Sequence, residues 1–371
     1  MTVTVTRTTV PEHGIVRYAS IGGLKLEAGG YLPDVTLAYE TWGTLNEDGS
    51  NAVLIEHALT GSTHVTRGDT EEPGWWEQLA GPGAPVDTNR FFVVSINIVG
   101  GCYGSTGPSS LAPDGTPWGS RFPLVTLRDS TVAEARLADQ LGIESWFAVL
   151  GGSMGGARAL EWAVTYPERV RRCAVIAVGA ASTAEQIAFA QAQTLAIRQD
   201  ANFNGGDYYN GPAPEEGLAL ARRIAHITYR SPMELDGRFG RAPQAPESPL
   251  QGEQLAARGR YQVESYLDHQ GTKLVQRFDA NSYIAITEAL MSHDICRGRG
   301  SLAQALSSVN ARFFVAAVDS DRLYFPSQSR ELARALPGEV DVHLIEAPIG
   351  HDGFLTEIGQ LGSQLREHLL A

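Results

Sequence analysis

The stretch WFAVLGGSMGGARALEW (146–162) sets one serine among glycines, with an apolar run before it and an alanine-rich segment after it. Glycine is abundant here, 40 of 371 residues, so the pattern G-x-S-x-G says little by itself. Its setting says more. Residues 146–151 read as a buried strand and 154–167 as a helix, which puts Ser153 on a sharp strand-to-helix turn. Such a turn crowds backbone against backbone. Gly151, Gly155 and Gly156 meet that demand, and Gly152 adds slack. A serine at this point projects its hydroxyl beyond the end of a strand, over a helix N-terminus that favours developing negative charge. Ser153 is therefore the candidate nucleophile of an α/β protein.

The remaining chain agrees with that architecture. Short apolar runs rich in β-branched residues recur at 35–43, 52–57, 91–100, 173–180, 312–319 and 340–347. Helical patterns lie between them at 129–143 and 327–336, and an amphipathic pattern closes the chain at 354–370. Strand alternating with helix predicts a mostly parallel sheet flanked by helices. Between 182 and 300 the alternation stops. That stretch reads as helices interrupted by the Pro- and Gln-rich loop GRAPQAPESPLQGEQ. The expected organisation is a core built from 1–181 and 301–371, with 182–300 inserted as a helical cap over the carboxyl ends of the strands.

A serine is a weak nucleophile without a base, and the base needs an acid to orient it. In this architecture the order along the chain is serine, acid, histidine. Three histidines are late enough. His343 lies inside a strand and reads as structural, and His368 lies on a solvated helix face. His351, in the loop APIGHDGF just after a strand, is placed to reach over the sheet edge. The acid belongs after the preceding strand, in RFFVAAVDSD, where spacing leaves Asp319 and Asp321 equally open. Two backbone N–H donors must receive an acyl oxyanion. Met154 follows the nucleophile, and the loop IEHALTGSTH (55–64) offers Ala58 or Leu59. His57 precedes Ser153 and reads as a residue that positions this loop.

A net charge of −13 leaves no broad basic face for nucleic acid, so an anionic substrate must be held by local cations. Cys102, Cys173 and Cys296 lie far apart, which predicts neither a zinc site nor a disulfide framework and fits a reducing cytoplasm. The start MTVTVTRTTVPEHG lacks a signal-peptide core, and no run of 18 apolar residues predicts a membrane span.

Several segments in order, IEHALTG, INIVGGCYGSTGPSS, GGSMGGARALEW, ARRIAHITYRS, ESYLDHQGTKLVQRFDANSYI, DSDRLYFP and GHDGFL, resemble the homoserine O-acetyltransferases of the α/β-hydrolase fold. The resemblance spans about residues 40 to 355. It implies Asp321 as the acid, His351 as the base, and Leu59 with Met154 as the oxyanion donors. It implies Arg222 for the carboxylate of the amino acid, with the adjacent Arg223 as its rival, and Asp352 for the ammonium. It also implies acetyl-CoA and L-homoserine as substrates, a ping-pong reaction through an acyl-serine in methionine biosynthesis, no cofactor or metal, and a homodimer formed through the cap. A succinyl donor, serine as acceptor, and a hydrolase using water remain the rival readings of the same triad. One departure from the resemblance is LYFP, where many members carry a second proline after the tyrosine.

Overall fold

The computed structural model describes residues 13–250, 252, 254, 255 and 258–371. Most of the N-terminal stretch read for a leader, and part of the Pro- and Gln-rich loop, lie outside these residues.

The apolar runs become strands β2 (Thr36–Trp42), β3 (Ala52–Glu56), β4 (Phe92–Ile96), β5 (Ala148–Gly152), β6 (Arg172–Ile176), β7 (Arg312–Val318) and β8 (Val342–Ile345). A further strand, β1 (Arg17–Ser20), precedes them at the sheet edge. The order across the sheet is β1-β2-β4-β3-β5-β6-β7-β8. The pairs β1/β2 and β2/β4 are antiparallel and the others parallel. Strands β3 and β5 are buried along their whole length, as expected of central strands covered on both faces.

Leu54 of β3 lies opposite Val94 on one side and Val149 on the other. The chain runs from β3 outward to β4, then returns to place β5 on the far side of β3. The loops that leave β3 and β5 therefore stand side by side where the strand order reverses. In open α/β sheets that crevice is where ligands bind.

Helices α1 (Leu127–Gln140) and α2 (Met154–Thr165) pack against one another on the sheet. Between β6 and β7 the chain forms α3 (Ala184–Arg198), α4 (Glu215–Tyr229), α5 (Pro232–Phe239), α6 (Gln262–Val275), α7 (Ala280–Met291) and the short α8 (Leu302–Leu306). The helical pattern through 262–294 divides in two, because the Asp279 side chain accepts from the Ser282 amide and starts a new helix. Helix α9 (Pro326–Ala335) follows β7. The closing pattern divides as well, into α10 (Gly353–Thr356), α11 (Ile358–Leu365) and a π-helical turn at Arg366–Leu370. His343 stacks on Phe314, as a structural histidine would. The His368 ring, however, packs 4.4 Å from His343 and is only partly solvated. Among the described residues no helix is long and apolar enough to cross a membrane.

One buried charge cluster joins these layers. Arg158 of α2 is fully buried and its Nη2 lies 2.6 Å from Glu56 at the end of β3 and 2.5 Å from Glu134 of α1. It also donates to Ile96 O of β4, while the Trp162 indole donates to Glu134. Burial pushes the Glu56 carboxyl well above its usual range. The Arg158 charge opposes that shift and the neighbouring Glu134 adds to it. Of the carboxyls that meet Arg158, Glu56 is the one that burial drives toward its neutral form.

Glu56→Gln, which keeps shape and neutrality, is expected to cost less than about 1 kcal/mol, whereas Arg158→Met strands a buried carboxylate and costs about 3–5 kcal/mol. Denaturant midpoints of the two variants check this difference.

Candidate active site

Ser153 sits between β5 and α2 with φ +57° and ψ −127°, a region that costs a non-glycine residue about 1–3 kcal/mol. Close packing holds it there. The Ser153 amide donates to Ile176 O of β6 at 2.9 Å. A Cβ on Gly155 would lie 2.1 Å from Glu56 O, so only glycine lets α2 seat against the end of β3. A serine at a helix N-cap ordinarily accepts a hydrogen bond from the first turn. Ser153 does not; its hydroxyl is left for another partner.

That partner is His351. Ser153 Oγ lies 2.9 Å from His351 Nε2, and His351 Nδ1 lies 2.6 Å from Asp321 Oδ2. Asp321 Oδ1 accepts from the amides of Leu323 and Tyr324 at 2.8 and 2.9 Å, which fixes the carboxylate and leaves Oδ2 for His351. All three side chains are buried, at 7%, 3% and 3% exposure for Ser153, Asp321 and His351. Burial works against a charged imidazole. The Asp321 charge and hydrogen bond outweigh it, so His351 is raised above its usual value. The rings of Tyr229, Tyr324 and Phe354 surround the imidazole, with centroids 6.0, 5.3 and 5.4 Å away.

Asp319, the alternative acid, is turned elsewhere: its Oδ1 accepts from the Ala347 amide and ties the end of β7 to the chain beyond β8. The pair Arg222 and Arg223 separates as clearly. Arg223 binds Asp268 of α6 at 3.0 Å, whereas Arg222 lines a cavity together with Ser153 and His351.

The loop after β3 is held from several sides. His57 Nε2 accepts from the Ile98 amide, so its Nδ1 carries the proton and donates to Ala58 O at 2.8 Å. Burial, with the Arg158 charge beside it, lowers His57 to about 3 and keeps it neutral. It positions the loop and takes no part as a base. Farther along, the Thr60 carbonyl accepts from Arg277 at 2.9 Å, and the Thr60 hydroxyl lies 3.4 Å from Arg222 Nη1. Leu59, between these anchors, lines the cavities at Ser153, and Met154 opens α2 beside the nucleophile.

Two cavities meet at Ser153, Leu59 and Tyr229. The polar one, about 130 Å³, is lined further by Thr60, Arg222, His351 and Asp352, with Phe354 and Leu355 as its apolar wall. The other, about 40 Å³, lies under α3, α4 and α7; Phe189, Ala190, Leu290, Met291 and Leu323 line it together with the polar Gln186, Gln193, Thr228 and Thr287. Arg222 Nε is buried without a hydrogen-bond partner, its contact to the Thr60 hydroxyl is long at 3.4 Å, and its guanidinium lies 5.5 Å from the centre of the Tyr229 ring. A guanidinium with donors to spare thus faces the polar cavity. Asp352 makes no helix-capping bond, and its Oδ2 lies 3.3 Å from Arg230 Nη2. Sequence reasoning had passed over Arg230, Tyr229 and Thr60. They lie within the quoted segments HITYRS and HALTG, but only the folded chain brings Thr60 and Tyr229 to the cavity at Ser153 and Arg230 to Asp352. Among the described residues no group of three or more His, Cys, Asp or Glu side chains is arranged to hold a metal ion.

A nucleophilic serine on a strand-to-helix turn, with Asp and His supplied by later loops of a mostly parallel sheet, defines an α/β-hydrolase-type enzyme. Residues 51–358 match the family model of the alpha/beta hydrolase fold. The chain is 58% identical over 351 residues to the homoserine O-acetyltransferase of Thermobifida fusca, covering 93% of this chain and 91% of that one. It is 49% identical over 365 residues to that of Mycobacterium tuberculosis, covering 97% and 95%. Among solved structures, a homoserine O-acetyltransferase from Bacillus anthracis superposes with a TM-score of 0.87 at 28% identity, over 96% of this chain and 98% of the other. The esterase E22 does so with the same TM-score and identity, over 96% and 99%. The chain belongs to the homoserine O-acetyltransferase family of the α/β-hydrolase fold.

Catalysis by Ser153 requires neutral His351. The rate of Ser153 acylation by an activated ester is therefore expected to rise with pH through an apparent pKa above 6.5, the ordinary histidine value. Asp321→Asn is expected to move that pKa down and to slow the reaction by about 10⁴-fold. Stopped-flow ester cleavage across pH checks both.

Proposed function

We propose that this chain transfers the acetyl group of acetyl-CoA to the side-chain hydroxyl of L-homoserine, a step of methionine biosynthesis, by way of an acetyl-Ser153 intermediate. The observation that carries the acceptor assignment is the polar cavity, in which Arg222 and Asp352 offer opposite charges beside the reactive serine. Its volume of about 130 Å³ is the space of about four waters, suited to a small amino acid. An arginine fork is the natural partner of the carboxylate and an aspartate that of the ammonium.

In the first half-reaction His351 Nε2 takes the proton of Ser153 Oγ as the oxygen attacks the thioester carbonyl. The Leu59 and Met154 amides receive the oxyanion, and collapse expels the coenzyme A sulfur with the proton from His351. In the second, His351 removes the proton of the homoserine hydroxyl, which attacks the acetyl carbon. Ser153 Oγ then leaves and recovers its proton from His351. Asp321 keeps Nδ1 protonated and Nε2 aimed at the serine throughout. Arg222 and Asp352 hold the hydroxyl at the acyl carbon, so homoserine competes as a bound neighbour against a free water.

The smaller cavity supports acetyl over succinyl. Its volume of about 40 Å³ holds a methyl group, and none of its lining residues carries a positive charge. The second carboxylate of a succinyl group would meet amides and hydroxyls there, such as Gln193, Thr228 and Thr287, but no cation to balance its charge. The hydrolase reading is supported by close superpositions on several esterases, but that likeness concerns the fold that both activities share.

Thiol release from acetyl-CoA beyond one equivalent per site is expected to depend on added L-homoserine, to fall sharply with succinyl-CoA or L-serine, and to vanish in Ser153→Ala. Continued turnover without acceptor would identify a hydrolase instead. Arg222→Leu is expected to raise the KM for homoserine by about 10- to 100-fold, the loss of a charge-assisted hydrogen-bonded partner. Steady-state kinetics with each acceptor measures it.

A further inference from the structure

The corner at the end of α4, Tyr229–Arg230–Ser231, lies against the loop that carries His351 and Asp352. The Ser231 amide donates to Ile349 O at 3.1 Å, and the Ser231 hydroxyl donates to Pro348 O. Gly350 has φ +94°, and a Cβ there would stand 2.5 Å from Ser231 N and 2.8 Å from Tyr229 O. Two backbones from distant parts of the sequence thus meet with no room for a side chain between them. Within this seam Arg230 pairs with Asp352 at 3.3 Å; the two side chains are only 14% and 19% exposed. Glu234, one turn into α5, lies 3.8 Å from the same guanidinium. Asp352 lines the polar cavity and Arg230 does not.

We propose that Arg230 is a positioning residue that sets the choice of acceptor: it pins one oxygen of Asp352 so that the other is presented to the ammonium of an amino acid. This rests on the reading of the polar cavity as the homoserine site. An aspartate at a loop has free rotamers, and ordering it when substrate arrives would take away part of the binding energy. The guanidinium removes that freedom beforehand. Its Nη2 lies 3.3 Å from Oδ2. It also offsets part of the aspartate's charge, which weakens attraction for any passing cation. What survives is a directed hydrogen bond, available to an ammonium whose own carboxylate is already on Arg222. Selection then falls on the zwitterion with both groups at the right spacing.

The test compares full-length parent, Arg230→Met and Arg230→Lys in two assays. Burst release of thiol from acetyl-CoA without acceptor reports acylation of Ser153. Transfer to L-homoserine is then set against transfer to 4-hydroxybutyrate, which has the carboxylate and hydroxyl but no ammonium. Arg230→Met is expected to keep the burst within about twofold and to raise the KM for L-homoserine about tenfold, the weight of one hydrogen bond to a charged group. The KM for 4-hydroxybutyrate stays unchanged, so the preference for homoserine collapses. Arg230→Lys recovers part of it. Should Arg230→Met fail to fold, Arg230→Gln carries the same comparison. An unchanged homoserine KM overturns the proposal. So does an equal loss on both acceptors or a lost burst, because Arg230 then only props the seam. If the parent itself ignores homoserine, the reading of the cavity fails before the inference is reached; if the parent depends on homoserine and the variants keep its KM, the inference alone fails.

Discussion

The contact of α2 with the end of β3 is the constraint on which the site depends. Gly155 brings the first turn of the helix onto the Glu56 carbonyl, closer than any side chain would allow. From that approach follow the position of Ser153 above the helix, the neighbouring positions of Met154 and Leu59, and the strained backbone of the serine. Arg158 reinforces the same junction from below, through Glu56, Glu134 and the Ile96 carbonyl. His57 fixes the loop above it. A strained nucleophile persists only where its surroundings over-determine it, and here packing, a buried charge cluster and a neutral histidine all act on one turn.

Charge is arranged locally against the global balance. The chain carries −13, yet Arg222, Arg230 and Arg277 converge on the rim of the site. Two of them touch Thr60, one residue from Leu59, and the third holds Asp352, one residue from His351. In the proposed reaction, acceptor binding and oxyanion stabilisation therefore share the same short loops. The chemistry of acyl transfer is carried by the sheet core, while the helices after β6 supply Arg222, Tyr229 and the apolar lining over Ser153.

Most of the core was legible from residues alone. The strand-to-helix setting of GGSMGG pointed to Ser153, and a late loop histidine pointed to His351, because local pattern places both at strand ends. Asp319 and Asp321 were not separable by spacing. They differ in which backbone amides they meet, Ala347 for one and Leu323 with Tyr324 for the other, and no sequence period encodes that. Strand β1 escaped notice because an edge strand with alternating half-exposed residues lacks an apolar run. The helix boundary at Asp279 was hidden by continuous helical pattern on either side of a capping side chain. Arg230 was invisible as a functional residue for a related reason: its partner Asp352 is distant in sequence, and only the seam between α4 and the His351 loop brings them together.

The central claim is that one serine carries the acyl group and a separate charged cavity decides what receives it. Its most direct test is single-turnover discharge of isolated acetyl-enzyme, followed by intact mass. The account predicts that acetyl-CoA leaves one acetyl group on Ser153, that this species persists in buffer, and that L-homoserine discharges it rapidly as O-acetylhomoserine. Discharge at the same rate in buffer alone, or no acetyl on Ser153 at all, would contradict it.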